Sequence, residues 1–419
     1  MTVARPKWAE IWAVFGRIGI LSFGGPAAQI ALMHRELVDE RRWLDEADYL
    51  RALSFCMLLP GPEATQLATY AGWRLRGVPG GFLAGLLFVL PGAAVILALA
   101  AAYAAWGGVP MVVAVFFGVK SAVIVIVIEA LMRIGRRALK SPLHRLFAAL
   151  SFLALFALGL PFPLVILAAA LGGALWLPAA AAPAPVSRGH GHVAPVLAVG
   201  LVAWGAPLLA LWMAGQTFLL DLGLFFSKLA LVTFGGAYAV LAYMTQQVVQ
   251  AHGWIGMGQM VDALGLAETT PGPLILVTEF VGYIAGARAA GPGLGLASAA
   301  LTLWVTFVPC FVWIFAFAPY LDWIATRPRL QGALAGVTAA VVGVIANLAL
   351  WFAGHVLFQR MVAVAAGPLA LRLPDPASAD PAAWAIAIGA GLLLLHWHRP
   401  LWLVLGAAGA AGALLAGSF

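Results

Sequence analysis

The chain has 419 residues, 63% of them hydrophobic and 9% charged, with a formal net charge of +7. Soluble globular domains carry about 25% charged residues. The composition therefore excludes a cytosolic enzyme, a secreted domain, a coiled coil and a disordered chain, and leaves a protein whose solvent is largely lipid. Glycine (47) and proline (26) are abundant without a collagen-like period, which in an apolar chain points to closely packed and interrupted membrane helices.

In chain order, apolar runs cover 10–33, 52–73, 80–106, 110–132, 146–177, 194–215, 218–247, 260–286, 291–320, 330–357, 382–397 and 400–417. With ~20 residues needed per span, they predict an all-α polytopic membrane protein of about 12–13 segments. The first run has Arg5 and Lys7 ahead of it, Arg17 within it and no small-residue cleavage site, so it reads as a retained helix rather than a signal peptide. Residues 34–51 mix Arg35, Arg41, Arg42 and Arg51 with Glu36, Asp39, Glu40, Asp45, Glu46 and Asp48. Their apolar residues Leu37, Trp43, Leu44 and Leu50 suggest an amphipathic helix at the membrane interface. Arg133, Arg136, Arg137, Lys140 and Arg145 place the segment 133–145 in the cytoplasm. The run 146–177, broken at Pro161 and Pro163, is either one kinked span or a hairpin of two. An Ala/Pro-rich linker with Arg188 follows at 178–193. Cys56 and Cys310 are isolated thiols and read as core residues.

An internal repeat runs through the chain. Phe23-Gly24-Gly25 recurs as Phe234-Gly235-Gly236, an offset of 211, and Pro60-Gly61-Pro62 recurs at the same offset as Pro271-Gly272-Pro273. Met33, Trp43 and Leu53 match Met244, Trp254 and Leu264 in the same register; after a one-residue slip Gly72 matches Gly282. A duplication is the reading. Residues 1–145 form repeat one, 146–217 are connecting spans and linker, 218–357 form repeat two, and 358–419 are a C-terminal transmembrane hairpin. If 146–177 is a hairpin, three spans separate the repeats and the second enters the membrane inverted, the architecture of many secondary transporters. If it is a single span, the repeats are parallel.

The motifs themselves carry chemistry. Pro26 removes a backbone donor and disfavours helix at Gly25, and the same holds around Leu59-Pro60-Gly61-Pro62 and Thr270-Pro271-Gly272-Pro273. A helix that starts at such a break presents free N–H groups and a positive dipole end within the membrane, which suits an anion. The candidate binding residues in repeat one are Arg17, Ser22, Gly24, Gly25, Pro60, Gly61, Pro62, Thr65 and Gln66. Those in repeat two are Lys228, Thr233, Gly235, Gly236, Thr269, Thr270 and Gly272. Arg17 and Lys228 each lie six residues before a Phe-Gly-Gly motif. A cation at the centre of a membrane helix costs about 2.5–3.5 kcal/mol and asks for a partner. No acid recurs at matched positions, so a dianionic cargo fits; snorkelling to the interface is the plainer alternative. Glu63 follows Pro-Gly-Pro and is either a helix cap or a proton-coupling residue; its repeat-two counterpart is Leu274. Glu268 and Glu279 are weaker candidates of the same kind. Glycines 77, 81, 85, 332 and 336 have the spacing of helix packing contacts. The pairs His190/His192 and His396/His398 have no further ligands near them in the sequence and do not suggest a metal.

Phe23-Gly24-Gly25-Pro26, His34-Arg35-Glu36-Leu37-Val38, Arg42-Trp43-Leu44, Leu59-Pro60-Gly61-Pro62-Glu63-Ala64 and Gly72-Trp73 resemble the chromate ion transporter family. Phe234-Gly235-Gly236 and Thr270-Pro271-Gly272-Pro273 resemble its second half, with Ala237 where the first half has Pro26. The resemblance implies a two-half, long-chain transporter in the bacterial inner membrane. It would export chromate and confer chromate resistance, using the proton-motive force or exchange with another anion such as sulfate. A dianion leaving a negative-inside cell gains roughly 4.6 kcal/mol per 100 mV, which favours efflux. A sulfate or other oxyanion transporter and a passive anion channel are the rival readings. No nucleophile-base pair, clustered metal ligands or phosphate loop is legible, so no enzyme, no cofactor and no nucleic-acid partner is expected. Protons, the lipid bilayer and a second copy in a homodimer are the partners considered.

Overall fold

The computed structural model describes residues 5–23, 25–177, 193–234, 237–321, 327–366 and 369–416. Gly24, Gly235, Gly236, the linker and His190/His192 lie outside the described residues. Among the described residues the chain is all-α apart from one two-stranded antiparallel pair, Met361–Ala366 with Leu369–Pro374, which the apolar pattern of the C-terminal region did not suggest. Among the described residues, five helical stretches are long and apolar enough to cross a bilayer: Glu63–Trp106, Pro110–Ala138, Val193–Met213, Pro292–Tyr320 and Pro328–Leu357.

Two compact units emerge. The first comprises Met1–Ala101, Ala180–Val240 and Leu266–Arg327. It opens with α1 (Trp8–Leu21), which buries Ile11, Val14, Phe15 and Ile18 at helical spacing. Helix α2 (Gly25–His34) follows a break, and α3 (Glu46–Cys56) follows a π-turn at Arg35–Glu40. Helix α4 (Glu63–Trp106) turns back on itself at Arg76 and Gly77, where Gly77 has φ +66°. A left-handed residue reverses the chain there, so Gly77 is the turn and not the packing glycine its spacing suggested. Gly81 and Gly85, by contrast, do lie against neighbouring side chains, those of Phe315 and Phe311.

Pro110–Ala138 is α5, Pro142–Phe156 α6, Phe162–Trp176 α7, Val193–Met213 α8, Thr217–Val232 α9, Ala237–Thr245 α10 and Met257–Thr269 α11. A 3₁₀ turn at Leu274–Leu276 leads into α12 (Val277–Ala290) and α13 (Pro292–Phe317). In the first unit α13 is clasped by α8 through two indole bonds: Trp204 Nε1 donates to Val305 O at 3.1 Å, and Trp304 Nε1 to Ala203 O at 3.0 Å. Helix α8 is apolar all round yet buries only Gly200, a surface that belongs in lipid.

The second unit comprises Ala102–Ala179, Leu241–Gly265 and Pro328–Phe419. Its spine is α14 (Pro328–Leu357), with α15 (Pro381–Gly391) and α16 (Leu401–Ala416) packed on α5. Gly173 of α7 meets Gly332 and Gly336 of α14 backbone to backbone, so those two glycines do serve packing. Ala148 of α6 faces Gly343, while Leu155 and Phe156 share a cavity of about 430 Å³ with Leu348 and Trp351. Helix α6 therefore runs with α14 and α7 against it, so 146–177 is a hairpin turned at Gly159 (φ +60°).

Besides 146–177, four of the expected apolar runs are not continuous helices. They are interrupted at 22–23, 57–62, 233–234 and 270–273, each at or beside a Gly/Pro motif. Residues 34–51 are also not one amphipathic helix: Leu37 and Leu44 are buried, and the chain turns at Arg42, a left-handed residue with φ +53°. Its counterpart at the 211 offset is Gly253, with φ +62°. The π-turn Arg35–Glu40 likewise has its counterpart in Gln246–Ala251, and Trp43 N–H to Leu37 O in Trp254 N–H to Val248 O.

Candidate functional site

Within the first unit the helix breaks cross. The N–H of Gly61 donates to the carbonyl of Thr233 at 2.7 Å, and the N–H of Gly272 donates to the carbonyl of Ser22 at 2.9 Å. The loop that follows α3 thus caps the break after α9, and the loop that follows α11 caps the break after α1. Ser22 and Thr233 occupy matched positions. Both are buried, and each returns its hydroxyl one turn back along its own helix, to Ile18 O at 2.5 Å and Leu229 O at 2.7 Å. Their side chains are therefore engaged, and their carbonyls make the crossing bonds.

Both loop glycines have positive φ, +124° at Gly61 and +89° at Gly272. A Cβ at Gly61 would lie 2.9 Å from Gln66 Nε2 and 3.0 Å from Cys310 Sγ; one at Gly272 would lie 3.2 Å from Gly92 Cα. The two thiols are buried and free, and Cys310 forms part of the wall around Gly61. Gly25 opens α2 with φ +75°.

The start of α4 is the polar side of the crossing. Helical bonding begins with Gln66 N–H to Pro62 O, so the earlier N–H groups point out of the helix end. Glu63 is the first residue of α4, and its carboxylate lies against its own backbone N–H. Thr65 and Gln66 are fully buried. Gln66 Nε2 donates to Pro60 O at 2.8 Å, whereas Gln66 Oε1 and Thr65 Oγ1 have no hydrogen-bond partner among the described residues. A buried polar atom without a partner is destabilising unless something else supplies the bond. In repeat two the hydroxyls of Thr269 and Thr270 return to Leu266 O (2.8 Å) and Ala267 O (3.3 Å). The polar equipment is thus concentrated in repeat one.

Gln29 belongs to this site although no motif of the sequence marked it. Its Nε2 donates to Gly272 O at 2.7 Å and reaches Ser22 O at 3.3 Å, while its Oε1 has no partner among the described residues. The matched residue is Val240. A lone glutamine in an apolar helix, with no match in the other repeat, was the one available hint.

The cations are placed less centrally. Arg17 is 53% exposed, and its Nε lies 3.5 Å from Glu36 Oε1; Glu36, fully buried, also accepts from Arg41 Nη1 at 2.5 Å. Arg17 thus has an acidic partner in its own repeat, and the matched position of Glu36 is Gln247. Lys228 is exposed on α9. Glu279 on α12 is buried, with Oε2 lacking a partner, on the face that carries Gly282 and Gly286 against α13. Counted from the α12–α13 turn at Gly291, the equivalent of Gly72 is Gly286, since each lies five residues before its turn glycine.

No group of three or more metal-ligating side chains is found among the described residues. The chain matches the model of the chromate transporter family over residues 9–174 and 220–413. It is 36% identical to a chromate transport protein of Pseudomonas aeruginosa over 81% of this chain and 79% of that one. It is 33% identical to a chromate transport protein of Cupriavidus metallidurans over 79% of each. No solved structure matches it.

Proposed function

This chain belongs to the chromate transporter family, and from that membership and the crossed helix breaks we propose that it is a secondary active transporter that exports chromate through a site built on those breaks. The observation that carries the reading is the reciprocal bonding of Gly61 to Thr233 and Gly272 to Ser22. It sets two helix interruptions side by side in an apolar setting, with the open N-terminus of α4 beside the buried Thr65 hydroxyl, which is free to donate. A helix N-terminus favours negative charge, and a tetrahedral oxyanion can meet several donors at once. Interrupted helices in matching halves are the usual location of transporter sites.

Three helices, α6, α7 and α8, separate the two repeats. An odd number supports an inverted arrangement and alternating access around the crossing. Arg17 and Lys228 would draw the dianion in. Glu63 is the candidate for proton coupling in this scheme, and antiport against sulfate is the alternative coupling. The bacterial cytoplasmic membrane is the proposed location and chromate resistance the proposed benefit.

The test is chromate accumulation by inverted membrane vesicles, with sulfate as competitor. Chromate uptake that collapses with the proton gradient or with removal of the trans anion supports active export. Sulfate accumulation without chromate changes the cargo, and flux indifferent to both conditions makes the protein a channel.

A further inference from the structure

Apart from the crossed breaks, the second unit holds a buried ion pair. Lys120 on α5 places Nζ 3.1 Å from Oδ1 of Asp262 on α11. Tyr103, near the end of α4, donates its hydroxyl to Oδ2 of the same carboxylate at 2.5 Å. Asp262 is 4% exposed, whereas the Lys120 side chain keeps 23% of its surface open. Gly258, one helical turn before Asp262, lies beneath the ammonium: a Cβ there would be 3.8 Å from Nζ. The pair therefore has a closed acidic end and an accessible basic end. No motif of the sequence pointed to it. At the 211 offset Asp262 faces Arg51 and Lys120 faces Gln331, so the duplication does not account for it either.

An ion pair inside apolar helices contributes little to stability, because desolvation offsets most of the attraction, and ionisable residues at such depth usually serve a pathway. Either partner left alone would be a costly buried charge. The carboxylate has two ways to be neutral, the ammonium or a proton. The ammonium has two ways to be compensated, the carboxylate or an anion that reaches its open side.

We propose that Lys120, Asp262 and Tyr103 form a proton-gated anion site, in which a proton taken up by Asp262 releases Lys120 to bind the oxyanion. The proposal rests on the oxyanion reading above and deepens it. The new O–H bond forms on Oδ1; Oδ2 keeps the Tyr103 hydroxyl, and Lys120 keeps its own proton throughout. The resting site is neutral. Loaded with one proton and one dianion it carries a single negative charge instead of two. Proton and anion thus strengthen each other's binding by the same factor. The charged partner of Asp262 is Lys120. Helix α5 otherwise carries Glu129, Arg133, Arg136 and Arg137, more than two turns away, and α11 carries Glu268. Helices α15 and α16, packed on α5, have no titratable side chain, and α14 brings Arg329 and His355.

The experiment measures chromate and sulfate binding to the purified full-length protein in lipid nanodiscs from pH 5 to 9. Wild-type protein should bind about 5-fold or more tightly at the acid end, the lower range of usual couplings. Asp262→Asn should bind at the wild-type acid-end affinity at every pH, and Lys120→Gln should bind weakly at every pH. Should Asp262→Asn fail to fold, Tyr103→Phe provides the second reading. It removes a donor to the ionised carboxylate, so the transition should move to higher pH with its amplitude kept. Wild-type binding that is flat with pH, an Asp262→Asn protein that keeps the wild-type slope, or an unmoved transition in Tyr103→Phe would each overturn the proposal while leaving chromate transport in place. Failure of wild-type protein to bind either anion would overturn the oxyanion reading and this one with it.

Discussion

The backbone N–H of Gly61 reaches the carbonyl of Thr233 across the first unit at 2.7 Å, and the matched residues Gly272 and Ser22 make the same bond in return at 2.9 Å. A contact of i with j accompanied by the contact of their equivalents in exchange is what a two-fold relation between two similar motifs produces. The consequence is mechanical: neither break can open without disturbing the loop of the other half.

Gly61→Ala should destabilise the protein by about 1–3 kcal/mol, the usual range for forcing a side chain into a sparsely populated backbone region. Gly272→Ala should be the worse of the pair. The methyl at Gly61 meets side-chain ends of Gln66 and Cys310, which can shift, whereas at Gly272 it meets not only the end of Leu276 but also, at 3.2 Å, the backbone of Gly92. Gly16→Ala is the control, since nothing lies within 4 Å of that position. Thermal unfolding in nanodiscs ranks the three; equal melting temperatures for all of them would refute the strain argument.

Thr65→Val separates stability from function. The hydroxyl is buried and has no partner, so exchanging it for a methyl should leave the melting temperature unchanged or slightly higher. If the hydroxyl serves the oxyanion, chromate affinity falls by about 10-fold, the worth of one good hydrogen bond near 1.4 kcal/mol. A stability loss with unchanged affinity would make Thr65 a structural residue.

Arg17→Ala should abolish chromate transport in vesicles while expression stays normal. Glu36 keeps Arg41 at 2.5 Å in that variant, and a half-exposed ion pair such as Arg17–Glu36 is worth only about 0–1 kcal/mol. Glu36→Gln should be more damaging to folding, because two guanidinium groups lose one buried acceptor. Undiminished transport in Arg17→Ala would remove that residue from the path of the anion.

Glu63→Gln should alter the pH profile of transport if this carboxylate carries a proton. Only a small stability change is expected, since an amide oxygen can still accept from the backbone. A superimposable profile leaves Glu63 as the cap of α4.

His34 gives a second pH signature, outside the membrane-spanning segments. It lies 2.6 Å from Glu46 and 3.3 Å from Asp39. Burial pulls its pKa down, but the hydrogen bond and charge of Glu46 and the charge of Asp39 outweigh this and raise it above the ordinary 6.5. A raised pKa means that the protonated ring ties α2 to the start of α3. That contribution is fully present below about pH 6.5 and is lost as pH rises through the folded value. Hydrogen exchange over residues 34–46 should accelerate across that window in wild type, and His34→Gln should flatten the change.

What the sequence determined by itself was the solvent, the register of the two halves and the places where helices break. Too few charges exist to cover a water-soluble surface, and a Gly-Gly-Pro or Pro-Gly-Pro run disrupts helical bonding through its own backbone, whatever surrounds it. These effects act within a few residues, so they are readable in one dimension. Only the tertiary structure decided which groups meet. Gln29 reaches a carbonyl 243 residues away, Arg17 lies beside Glu36, and Lys120 is neutralised by an aspartate in the other half of the chain. Thr269 and Thr270 had the right chemistry for donors, yet their hydroxyls fold back onto their own helix. Such pairings depend on which helix faces are pressed together, a property of packing that no local pattern of residue types contains.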